Sequence, residues 1–151
     1  MAQNTLKPSE QMALVGVIDP DLNAAGTYTT GWIAAKDFTA FMAIVMAGTL
    51  GTDATIDAKL EQATDASGAG AKDVPDAAIT QLVKATDDDK QAVIECFSDS
   101  LDLLNGFTHL RLSMTVATAS SDSGALVWGV GGRYEPASDY NLASVAEIVA
   151  A

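Results

Sequence analysis

In "THLRLSMTVATA", Leu110, Leu112, Met114 and Val116 alternate with His109, Arg111, Ser113 and Thr115, the period of two that a half-buried strand requires. "ATIDAKLEQAT" does the same, with Ala54, Ile56, Ala58 and Leu60 opposite Thr55, Asp57, Lys59 and Glu61. "FMAIVMA" has no alternation, which fits a central strand covered on both faces or a buried helix turn. Its length and the nearby Gly48 and Gly51 favour the strand. The remaining runs, "TYTTGWIAA", "AITQLVKAT", "QAVIECFSD" and "ALVWGVGGRY", are each bounded by Gly, Asp, Asn or Ser clusters. Short runs at this spacing predict an all-β sandwich or barrel.

The two ends depart from this pattern. Residues 1–26 mix polar side chains, Pro8, Pro20 and an Asp-Pro-Asp turn around one apolar patch, "MALVGVI". They are expected to form an extended N-terminal arm, only partly packed on a single β-domain spanning 27–151. Met12, Leu14, Val15, Val17 and Ile18 would pair as a short strand across a subunit contact, and removing residues 1–20 should leave the domain folded. At the other end, "SDYNLASVAEIVAA" spaces Leu142, Val145, Ala146 and Val149 at helical intervals after a cap at Ser138 or Asp139. A short C-terminal helix and a last strand both fit.

The chain has 151 residues, enough for one core without disulfides or metals. Cys96 is the only cysteine, so an internal bridge is excluded and a reducing cytoplasm is the expected site of assembly. "MAQNTLKPSEQ" lacks the basic start and apolar stretch of a secretory leader. The longest apolar run, Phe38 to Ala47, falls well short of the ~20 residues of a membrane helix. Eight basic residues against twenty acidic ones leave a net charge of −12, which repels phosphate backbones. Neither nucleic acid nor a membrane is expected as a partner.

The candidate chemistry is thin. Gly68-Ala69-Gly70-Ala71-Lys72 follows a strand, but a phosphate-binding loop needs Gly-Lys-Ser/Thr at its end and a helix after it. Here Ala71 separates Gly70 from Lys72, Asp73 replaces the hydroxyl, and Val74-Pro75-Asp76 follows. A flexible inter-strand loop is the better reading. Asp19, Asp21 and Asn23 have the opening spacing of a calcium loop, but Ala24 and Thr30 stand where glycine and glutamate belong. Asp87-Asp88-Asp89-Lys90 fits a solvated turn. Any Cys-His pair must use Cys96 and His109; Cys96 fits a small buried hydrophobe and His109 falls on a polar strand face. No catalytic residue, cofactor or metal is expected, and the chain is read as a non-enzyme. Trp32, Trp128, Tyr28 and Tyr134 near strand ends suit core or interface packing, with a sugar platform as the other use.

The ordered phrases "AAGTYTTGWIAAKDF", "LEQATD" followed by "GAGAKD", "NGFTHLRLSMTVATA" and the closing "GGRYEP" resemble small virion proteins encoded among the head genes of tailed bacteriophages. The resemblance covers about Gly26 to Val149. It implies a head decoration, or cement, protein: a non-catalytic antiparallel β-sandwich, of jelly-roll type, that binds the outside of the capsid and stabilises it. The implied partners are the major capsid protein and further copies of the chain, most simply as a trimer, in a virion assembled in the host cytoplasm. A tail-tube or head-to-tail joining subunit, and a carbohydrate- or receptor-binding β-module, are the alternatives. The expected contact residues are those of the arm together with Trp32 and Tyr134.

Overall fold

The computed structural model describes residues 5–151. Ten strands follow in chain order: β1 Met12–Asn23, β2 Gly26–Thr29, β3 Ile33–Ala34, β4 Phe38–Ala47 and β5 Thr55–Ala63 come first. β6 Lys72–Ala78, β7 Leu82–Val83, β8 Gln91–Phe97, β9 His109–Ala117 and β10 Ser121–Gly132 complete the set. One sheet has the order β1-β10-β4-β8; the other is β2-β9-β5-β6, with β3 added on β9 and β7 on β5. Among the described residues, no helix is long and apolar enough to cross a membrane.

The pairing is nested. β5 pairs with β6, β4 with β8, β2 with β9 and β1 with β10, all antiparallel. The chain is thus one long hairpin centred on the β5–β6 turn, folded over so that its successive pairs fall on alternate sheets. Eight principal strands wound in this way make a jelly-roll β-sandwich.

The alternating strands supply the core. Leu110, Leu112, Met114 and Val116 of β9 are buried, as are Ile56, Ala58 and Leu60 of β5. They meet Phe41, Ala43 and Val45 of β4 and Ala125 and Val127 of β10 in a single apolar cluster. Each buried Leu, Ile, Val or Met side chain contributes about 1.5–3 kcal/mol of transfer free energy. Phe38 closes one end, edge to face with Phe41 and Tyr140.

Four segments differ from the sequence reading. Residues 12–23 are not an arm: β1 pairs with β10 from Met12↔Val130 to Asn23↔Ser121, and Ala13 and Ile18 belong to the core. Register shifts between Leu14 and Gly16 and between Ile18 and Asp21 break the alternation that marks a strand. Of the remaining arm, Pro8–Gln11 is one helical turn, α1, and residues 1–4 lie outside the described residues. β6 begins at Lys72, inside the segment read as a flexible inter-strand loop, and runs on through Pro75. It is a sheet edge, where a missing N–H breaks no ladder bond, and its pairing is irregular between Lys59 and Glu61 of its neighbour. The run 78–86 holds only the end of β6, the two residues of β7 and the helical turn Lys84–Asp87, α2. Near the C-terminus, Ala137–Tyr140 is a 3₁₀ turn and no helix forms over Leu142 to Val149.

Candidate interaction face

The two sheets present opposite chemistries to solvent. On β4, β10 and β8 the core side takes Phe41, Ala43 and Val45, Ala125 and Val127, and Ile94 and Cys96. Strand alternation therefore turns the intervening residues outward. Register sets these in rows: Val17–Leu126–Ile44–Val93, Leu14–Trp128–Met42–Glu95 and Met12–Val130–Ala40–Phe97. Glu95 is the only charged side chain in the three rows. Phe97 is 62% exposed and Val93 55%. The outer face of the other sheet carries Asp57, Lys59, Glu61, Arg111 and Thr115. Arg111 Nε donates to Glu61 Oε2 at 2.7 Å, Lys59 Nζ to Asp73 Oδ1 at 2.7 Å, and the hydroxyls of Thr27 and Thr115 are 3.0 Å apart. One face is thus satisfied by its own ion pairs, and the other offers hydrocarbon.

Both ends of the apolar face are hollowed. At one end the C-terminal segment passes beside Met12, Leu14 and Trp128, leaving a cleft of ≈ 600 Å³. Asn141 Oδ1 accepts the Leu14 N–H at 2.8 Å, and the Leu142 N–H donates to the Leu14 carbonyl at 2.9 Å. At the other end a groove of ≈ 630 Å³ lies between Val17, Leu22, Met46 and Leu126.

Of the expected contact residues, the structure brings Met12, Leu14 and Val17 together on this face. Val15 sits at a register shift of β1, partly buried against the core, and Ile18 is a core residue. Trp32 is half-buried beside the polar sheet, with the Arg111 guanidinium 4.4 Å from its ring centroid. Tyr134 is 62% exposed beyond the end of β10. Trp128, read from the sequence as a core or interface aromatic, also lies on this face, whereas Met42, Ile44, Met46, Val93, Phe97 and Leu126 were not singled out as contacts by the sequence pattern. For Met42, Ile44 and Met46 the signal was the unbroken apolar run "FMAIVMA", which alternates in burial but not in polarity.

The other candidate motifs have local structural uses. Gly68 and Gly70, at φ 85° and 65°, form the turn of the β5–β6 hairpin, and Asp65 holds it by accepting the N–H groups of Ala69 and Ser67. Lys72 donates to Asp102 and lies 4.1 Å from the Phe107 ring centroid. Asn23 is buried and its Nδ2 donates to Ser123, whereas Asp19 and Asp21 are exposed, so the calcium-like spacing does not converge. Asp87 accepts the Val83 N–H, and Asp88 accepts the Leu50 N–H and Lys84 Nζ. Cys96 and His109 stand on different sheets. Burial, with a smaller contribution from Asp99, pushes the Cys96 thiol up and keeps it neutral. Among the described residues, no group of three or more His, Cys, Asp or Glu is placed to hold a metal ion.

No family model matches the chain, and no curated protein matches it. Among solved structures, it is similar to a chain of Broad Bean Stain Virus at 12% identity and TM-score 0.46, covering 87% of this chain and 94% of that one. It is similar to a chain of an empty virus-like particle of Cowpea Mosaic Virus at 11% identity and TM-score 0.41, covering 88% and 84%. A Cellvibrio japonicus xylanase in complex with xylopentaose follows at 10% identity and TM-score 0.36, covering 85% of this chain and 28% of that one. Likeness at this level reaches both viral particles and an enzyme, and it assigns no activity.

Proposed function

We propose that the chain is a virion structural protein that attaches by its apolar sheet face to the outside of a tailed-phage capsid and stabilises it, without catalysis. The observation that carries this is the outer face of the β1-β10-β4-β8 sheet: three rows of side chains with Glu95 as the only charge, on a chain of net charge −12. Contiguous exposed hydrocarbon of this kind on an acidic protein marks a protein contact. The likeness of "LEQATD", "GAGAKD" and "GGRYEP" to phage head proteins supports the choice of partner, the major capsid protein. Assembly in the host cytoplasm and a trimeric state on the shell belong to the same reading. A decoration protein acts by mass action, since one that binds only the expanded shell stabilises it by its free energy of binding.

The test is co-sedimentation of the full chain with expanded shells of the phage that encodes it, beside a Val93→Thr/Phe97→Ser variant. Attachment of the full chain and loss in the variant are expected. Shells that never retain the full chain would overturn the capsid reading.

A further inference from the structure

At the end of the apolar face, Ile18 pairs with Ala125 and Asp21 with Ser123, so Asp19 and Pro20 together oppose only Gly124. This bulge bends β1 over the sheet. A Cβ on Gly124 would lie 2.9 Å from Pro20 Cα and 3.1 Å from the Ile18 carbonyl oxygen, so the close approach requires glycine. The groove beside it takes its apolar lining from Val17, Leu22, Met46 and Leu126 and its charge from Asp21 and Asp122 alone. Leu22 is 68% exposed and Met46 47%.

The two carboxylates are uncompensated. Asp73, Asp87, Asp88 and Asp102 each have a lysine within ion-pair distance. Asp21 and Asp122 have none among the described residues, and no Lys or Arg lines the groove. Charges and proline on β1 would protect a sheet edge from pairing, but Asp122 is on β10, an interior strand. Edge protection also leaves Leu22 and Met46 unexplained.

An apolar floor between two free carboxylates selects its occupant by charge. A second copy would bring the same negative groove and a further −12, and an anionic lipid surface or a nucleic acid would be repelled. We propose that the Gly124 groove is a docking site for a segment of a partner protein in which a Leu- or Met-sized side chain is flanked by Lys or Arg. Hydrocarbon in the groove supplies affinity, and the carboxylates set orientation and rate of encounter. For the partner's identity as a capsid protein, the proposal rests on the reading above; the chemistry of the contact stands on the groove.

The test is a methyl NMR titration of the full chain with three synthetic peptides: acetyl-KLKLK-amide, acetyl-KSKSK-amide and acetyl-ELELE-amide. The first should shift the Met46, Leu22 and Leu126 methyl resonances saturably, and bind more weakly as salt rises through the range where the Debye length drops below about 10 Å. Asp21→Asn/Asp122→Asn should weaken it about fivefold or more, and Met46→Gln about threefold, both without loss of the folded spectrum. All these positions are exposed except Leu126 and Val17, which stay unchanged. Equal binding of the Ser or Glu peptide, or an unchanged Kd in the double Asn variant, would overturn the proposal. Shell co-sedimentation separates the two readings. Shells that retain the double Asn variant as well as the unaltered chain overturn the groove and leave the capsid reading; peptide binding as expected with no shell binding supports the groove and overturns the capsid partner.

Discussion

Asn141 closes the free edge of β1: its Oδ1 accepts the Leu14 N–H at 2.8 Å, across 127 positions of sequence. With the Leu142 N–H on the Leu14 carbonyl, a C-terminal segment of little regular structure satisfies one residue of an edge strand as a further strand would. Asn141→Ala should therefore cost about 0.5–1.5 kcal/mol, the net worth of one such hydrogen bond. Amide exchange should quicken at Leu14 more than elsewhere in β1. Unchanged exchange at Leu14 would mean that the segment does not hold the strand in solution.

The two faces of β9 should respond differently to truncation. Leu112→Ala and Met114→Ala remove side chains with 0% exposure and should each cost about 2–5 kcal/mol. Thr115→Ala gives up one hydroxyl contact with Thr27 and should cost less than about 1 kcal/mol. Arg111→Ala falls between, because it removes the 2.7 Å pair with Glu61 and leaves that carboxylate only Lys59 Nζ at 3.8 Å. Denaturant melts of the four variants give the comparison. Equal losses at Leu112 and Thr115 would mean that the polar sheet face is covered in solution.

Acid should destabilise the fold through particular carboxylates. Asp102 is lowered from its ordinary value of 3.8 by the Lys72 and Asn105 hydrogen bonds, and Asp88 by Lys84 and then the Leu50 N–H. Asp87 is lowered chiefly by the Val83 N–H, and Asp65 by the N–H groups of Ala69 and Ser67. A depressed folded-state pKa contributes stability that is present above the unfolded value and lost as pH falls through the folded one. Thermal melts should accordingly change little from these groups between neutrality and about pH 5, then decline below about pH 4. Asp88→Asn should flatten that decline; a decline of undiminished steepness in Asp88→Asn would show that its hydrogen bonds are not formed.

The sandwich was legible where a strand has one wet face and one dry face. β5 and β9 announce themselves because Lys59, Glu61 and Arg111 must reach water while Leu60 and Leu112 must not. The nesting of β1 on β10 and β4 on β8 depends on contacts far apart in sequence and leaves no local trace. β1 was hidden by its two register shifts, and β6 by Pro75 and by Asp76, which adopts φ 58°. The apolar face was half-legible. "FMAIVMA" told of hydrocarbon on both sides of a strand, but in the folded chain only one side meets the core, and Met46 of the other is 47% exposed.

The strand β1 gives the sharpest test, because the sequence reading and the structure predict opposite results for the same truncation. An arm ending near residue 26 would leave a folded domain when residues 1–20 are removed. In the structure that cut removes Ala13 and Ile18 from the core and most of the pairing of β10 on one side. Loss of a core isoleucine alone costs about 2–5 kcal/mol, against a typical total of about 5–15 kcal/mol. Removing residues 1–20 should therefore abolish the cooperative thermal transition, whereas removing residues 1–7, which spares α1 and β1, should leave it. Loss of shell attachment in the longer truncation would report unfolding rather than an interface. The surface substitutions Val93→Thr and Phe97→Ser are the informative probes of attachment, since both side chains are more than half exposed and outside the core. A cooperative, near-native melt after removal of residues 1–20 would restore the arm and return the domain boundary to the vicinity of Gly26.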